Sequence, residues 1–185
     1  MLDYAINASL VLSYVAMRKD DKAGLVTFNE YFDTFVPASK QVGQMQTLLE
    51  NLYKQETTFG ETDFSALCGH LGKHVNKRSF LVLYTNFSNM TSLNRQLVYL
   101  QQLARQHRVL VVFFEDADLK EYIAGKSVTT EEYYRHVIAE KFAFEKRLIV
   151  STLKQHGIYS LLTTPDKLSI DVINKYLEMK SRQLL

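Results

Sequence analysis

Apolar residues occupy most sides of the opening segment LDYAINASLVLSYVAMRK, which predicts a helix from Leu2 to Lys19. No face is left polar, so the pattern reads as a buried helix. Arg18 and Lys19 in its last turn suit the negative end of the helix dipole. After the turn Asp20-Asp21-Lys22, AGLVTF (23–28) and YFDTFV (31–36) read as short strands, with Pro37 ending the second. Val42, Met45, Leu48, Leu49 and Leu52 recur at helical spacing within Gln41–Tyr53. A polar loop, KQETTFGE, follows. Thr62 or Asp63 then caps a helix running to about Val75. SFLVLY (79–84) is apolar throughout, the mark of a fully buried strand, and Thr85–Asn89 is the polar loop at its carboxyl end. A helix over 92–106, a strand over 109–114, a short helix near 118–124 and a long helix over 129–156 come next. Thr129 and Glu132 give the long helix a capping box, and Gly157 its stop. A strand at 158–162 and a helix over 166–180 close the chain.

Helices alternating with buried apolar strands define an α/β class: a Rossmann-like, mostly parallel sheet covered by helices on both faces. In such sheets ligands sit beyond the carboxyl ends of the strands. Three short polar segments qualify here: Thr62-Asp63, Thr85–Asn89 and Glu115–Asp118. None carries GxGxxG or a P-loop lysine.

Composition narrows the class further. The 185 residues fit a single domain, and 46% hydrophobic with 23% charged residues exclude disorder and a disulfide scaffold. A net charge of +2 gives no footprint for nucleic acid or a membrane surface. No apolar stretch is long enough to span a bilayer, and no signal peptide is visible. The single cysteine, Cys68, excludes an intramolecular disulfide and a cysteine-rich zinc site, and fits a reducing compartment.

Each remaining polar feature has a structural reading. His70 and His74 stand at i, i+4, but Leu71, Gly72 and Lys73 between them exclude HExxH. Cys68 shares a helix pattern with Phe64 and Leu71 and reads as a buried thiol. Glu115, Asp116 and Asp118 read as a loop and a helix start, Asn86 with Ser88 as turn chemistry. Arg135, Lys141, Lys146, Arg147 and Lys154 alternate with Glu140 and Glu145 along the long helix, as on a solvated or partner-binding face. No GxSxG elbow marks a hydrolase triad.

The segments LDYAINASLVLSYVAMRKDDKAGLVTF, LLENLYKQETTFGETDFSAL and RSFLVLYTNF resemble the von Willebrand factor type A-like domain of the bacterial domain-of-unknown-function 58 proteins. KYLEMKSRQLL resembles that family's ending. The resemblance implies a Rossmann-like fold and a non-enzymatic adaptor role, often beside MoxR-type AAA+ ATPases. Type A domains commonly hold Mg²⁺ at a metal-ion-dependent adhesion site, built from a DxSxS loop, a Thr and an Asp. Here only Thr62 matches a ligand position. Asn86 stands where the Asp belongs, and no DxSxS strand precedes Leu2. A degenerate site holding no metal and no cofactor is therefore expected. So is a missing central strand, leaving a slot beside 23–28 and 79–84 that invites self-association. The partner-binding edge expected from the resemblance is Thr62, Asp63, Thr85, Asn86 and Ser88, with a cytoplasmic location. The other readings are a nucleotide-binding or hydrolytic enzyme on the same sheet, and a fragment without independent activity.

Overall fold

The computed structural model describes residues 2–29, 32–55, 62–87, 89–115 and 130–185. It is a mixed α/β, Rossmann-like fold, whose backbone falls into two compact units: Met1–Arg78 with Asp166–Leu185, and Ser79–Pro165.

In the first unit, helix α1 (Leu2–Arg18) leads into strands β1 (Ala23–Phe28) and β2 (Phe32–Ser39), then helices α2 (Gln44–Tyr53) and α3 (Phe64–His74). The last helix of the chain, Leu168–Ser181, belongs to this unit and packs on α1. The core gathers Ile6, Leu10, Ala23, Val36, Leu48 and Leu52. Helix α1 is less buried than its composition predicts. Only Ile6, Ala8 and Leu10 are buried, and Tyr4, Val11 and Tyr14 stand exposed, because its neighbours β1, α2 and the last helix cover only part of its circumference. At the turn after α1, Asp21 accepts hydrogen bonds from Tyr176 Oη (2.5 Å) and Lys180 Nζ (2.6 Å). Burial alone would raise the Asp21 carboxyl. The bonds from Lys180 and Tyr176 and the Lys180 charge outweigh it and hold the group below its ordinary value.

Strands β1 and β2 form an antiparallel pair, where the sequence pattern predicted a mostly parallel sheet. Only three residues separate the two strands in the sequence, far fewer than the dozen or so that a parallel crossover needs. Pro37 does not end β2; the strand runs to Ser39. The register slips between Ala23↔Ser39 and Leu25↔Val36, placing Pro37 in a bulge, where a missing N–H is tolerated. Helix α2 begins at Gln44, after Gly43 at φ 93°, so Val42 falls outside it and is fully exposed.

In the second unit, β3 (Phe80–Tyr84), β4 (Arg108–Phe114) and β5 (Tyr159–Thr163) form a parallel sheet in the order β3-β4-β5. Helix α4 (Met90–Gln106) and the 26-residue α5 (Thr130–Gln155) are the crossovers between them. The Leu168–Ser181 helix is thus α6. Strand β4 is central, and all its residues from Val109 to Phe114 are buried. Strand β3 was expected to be fully buried, but only Leu83 is, because β3 ends the sheet order. Among the described residues, β1 and β3 are both end strands of their respective sheets. The short helix expected near 118–124 and the Thr129 capping box lie outside the described residues.

His107 joins α4 to β4 and is buried, with its Nδ1 accepting from the Ser79 N–H at 3.3 Å. Burial holds the ring below the ordinary imidazole value. Burial, followed by the charges of His74 and Lys73, lowers His70 in the same direction. As pH falls, the unfolded chain therefore takes up these protons first. The contribution of these two rings to stability is expected to be level above about pH 7.5 and to decline below it, until the folded rings titrate. His107→Asn, which keeps an acceptor for Ser79, is expected to remove the His107 share of that decline. Urea unfolding at a series of pH values checks this, and an unchanged slope in the variant would contradict it.

Candidate functional site

The expected edge residues fall into two local groups, one in each unit. Thr62 and Asp63 precede α3 in the first unit. Asp63 is the cap of α3: its Oδ1 accepts from Ser65 N–H (2.8 Å) and Ala66 N–H (3.1 Å). Its own N–H donates to the Asn29 carbonyl at 2.8 Å, which ties the start of α3 to the end of β1. The carboxylate is thus committed to holding the helix start. Thr62 beside it is half-buried.

One turn into α3, Cys68 is buried. Burial, and after it the Asp63 charge, pushes its thiol up to about 11. A thiol in that state is a packing group and a poor nucleophile. Alkylation of the folded protein at neutral pH is expected to leave Cys68 unmodified, with full labelling after unfolding, as mass spectrometry would record. Rapid labelling of the folded chain would contradict the burial. His70 and His74 do share a helix face. Their rings stack at 4.2 Å between centroids, with Phe35 against both.

Thr85 and Asn86 follow β3 in the second unit, and Ser88 lies outside the described residues. Thr85 N–H donates to the Val112 carbonyl (3.0 Å), extending the parallel ladder past the strand end. Phe87 turns inward and is buried, anchoring the loop. Asn89 and Ser92 then form a reciprocal capping box at the start of α4.

Asn86 has a partner that its sequence neighbourhood did not indicate. Lys146, on α5, donates from Nζ to Asn86 Oδ1 (2.7 Å) and to the Phe87 carbonyl (2.8 Å). The ammonium also lies 5.6 Å from the Phe113 ring centroid. The charge pattern of the long helix places Lys146 on a solvated or partner-binding face. The structure corrects this: it points to the loop after β3. The spacing carried the signal, since Ala139, Lys146 and Leu153 recur every seven residues, and the two apolar members are buried. A lysine in a core-facing row requires an acceptor.

This arrangement does not fit a bound Mg²⁺. The Asn86 oxygen is neutral and already accepts from an ammonium. A divalent cation on the same atom would lie roughly 4–5 Å from that charge, a repulsion of several kcal/mol at an effective dielectric of about 20. Among the described residues, no group of three or more His, Cys, Asp or Glu side chains is placed to hold a metal. An open depression lined by Gln101, Ala104, Arg105, His156 and Gly157 lies at the other end of this unit, beside the start of the strands.

Three parallel strands with helical crossovers and a tied polar loop at their carboxyl end define an α/β protein of Rossmann-like type. A family model described as "Protein of unknown function DUF58" matches residues 2–126, and the chain belongs to that family. No curated protein and no solved structure matches it. The KYLEMKSRQLL ending lies beyond the matched residues. No helix among the described residues is long and apolar enough to cross a membrane.

Proposed function

We propose that this chain is a non-enzymatic protein-interaction domain of the von Willebrand factor type A-like kind, acting as an adaptor for a MoxR-type AAA+ ATPase in the bacterial cytoplasm. Its partner-binding residues are Thr62 and Asp63 in the first unit and Thr85, Asn86 and Ser88 in the second, with a degenerate adhesion site that uses neither metal nor cofactor. The observation that carries this reading is the commitment of the polar groups at the expected ligand loops. Asp63 holds a helix start, and Asn86 holds a lysine ammonium. Neither is poised as a general base or nucleophile, which would need a reacting group within hydrogen-bond reach. A recognition surface asks only for fixed loops presenting polar groups. The ATPase partner rests on resemblance to the family, and a shared fold does not by itself assign a partner.

Affinity capture from a bacterial lysate, with the folded chain as bait, tests the reading. The expected result is recovery of an AAA+ ATPase that persists in chelator and is lost in the double variant Thr62→Ala, Asn86→Ala. Capture that requires Mg²⁺ would overturn the metal-free site. Turnover of a nucleotide or ester by the purified chain, abolished by the same double variant, would overturn the non-enzymatic reading.

A further inference from the structure

Helix α5 carries two apolar faces. Its positions advance by about 100° per residue. Ala139, Ile149 and Leu153 are buried on one side. Tyr133, Val137, Phe144 and Leu148 fall within roughly 60° of one another on the opposite side, and are 63%, 47%, 58% and 41% exposed. An exposed row of two aromatic and two aliphatic side chains on one rigid helix is a surface with a use.

We propose that this row is a homodimer contact, in which α5 of one copy packs antiparallel on α5 of a second copy. Two features select a second copy. First, the row is self-complementary about the midpoint between Glu140 and Lys141. Reversed on itself, it sets Tyr133 against Leu148 of the second copy and Val137 against Phe144 of the second copy. Each layer pairs a ring with an aliphatic group, and each occurs twice, as a two-fold contact requires. Second, the helix is charged oppositely along its length. The charges flanking the row are Glu132 and Glu140 in residues 130–140, and Lys141, Arg147 and Lys154 against Glu145 alone in residues 141–155. Glu131 and Arg135 pair with each other and Lys146 holds the loop after β3, all three on the other side of the helix. Antiparallel packing lays the acidic half on the basic half and opposes the helix dipoles favourably. Parallel packing would set like on like. Four large side chains per copy make a small contact, so the dimer forms in the micromolar range and not below it. This surface is distinct from the loop edge and does not depend on the adaptor reading.

Sedimentation velocity of the full chain across the micromolar range tests the proposal. A concentration-dependent monomer–dimer equilibrium is expected. Phe144→Glu is expected to abolish the dimer, while Val98→Glu, at an exposed position of α4, leaves it intact. Charge swaps at exposed positions guard against a misfolded Phe144 variant. A Glu132→Lys, Glu140→Lys copy and a Lys141→Glu, Arg147→Glu copy are each expected to be monomeric alone and to dimerise when mixed. A Val137→Cys copy is expected to cross-link to a Phe144→Cys copy on oxidation. A wild-type chain that stays monomeric throughout, swapped copies that do not recover on mixing, or a dimer unaffected by Phe144→Glu would each overturn it.

Discussion

Lys146→Met is expected to lower the unfolding free energy by about 2 kcal/mol and to loosen the loop after β3. Methionine keeps most of the apolar stem, so the loss isolates the ammonium. Two charge-assisted bonds disappear, to Asn86 Oδ1 and to the Phe87 carbonyl. Asn86 is exposed and water can satisfy its oxygen. The Phe87 carbonyl is partly buried beside a buried ring, so it bears most of the cost. Urea unfolding gives the magnitude. Amide exchange gives the location, with faster exchange expected at residues 85–89 than in β4. A variant as stable as wild type, with an unchanged exchange pattern, would mean that the lysine does not hold the loop.

Gly24→Ala is expected to cost about 2–3 kcal/mol, at the upper end of the range for overpacking. A Cβ at Gly24 would meet the Val36 carbonyl oxygen and Ala38 N, each at 2.8 Å, and Ala38 Cα at 2.9 Å. All three are main-chain atoms of β2, so no side chain can rotate away. They belong to the bulge around Pro37, and relieving the contact means opening the β1–β2 pairing. Thermal unfolding compared with Gly43→Ala separates this cause from loss of glycine as such. Gly43 has open space around it, so only its φ of 93° is strained there. Equal stability of Gly24→Ala and wild type would mean that the bulge is not as close as described.

The elements of this fold were largely legible in the sequence because each has a strong local signal. VLVVFF carries the pattern of a covered strand, and the sequence narrowed the cap of α3 to Thr62 or Asp63, of which Asp63 is the one that caps. The errors arose where a neighbour decides the outcome. Pro37 stops a strand paired on both sides, but among the described residues β2 pairs with β1 alone and absorbs it in a bulge. The apolar α1 predicted burial all round, yet burial depends on how many layers cover a helix, which composition cannot report. At the candidate site, Asp63 was legible as a cap because its partners lie two and three residues away. Lys146 was not, because its acceptors lie 60 and 59 residues away along the chain. Tertiary hydrogen bonds between distant loops and helices leave little trace in local pattern. Only the seven-residue recurrence of Ala139, Lys146 and Leu153 marked that lysine as turned toward the core.

The central claim is that the loop after β3 is held by the Lys146 ammonium and not by a metal ion. Urea unfolding of the wild-type chain in saturating Mg²⁺ and in chelator tests this most directly. A cation bound only to the folded state at 100 times its Kd would add about 2.7 kcal/mol. The expected result is superimposable unfolding curves, with Lys146→Met destabilised equally in both conditions. A wild-type curve shifted to higher urea by Mg²⁺, and returned by chelator, would contradict the claim and restore a metal to this site.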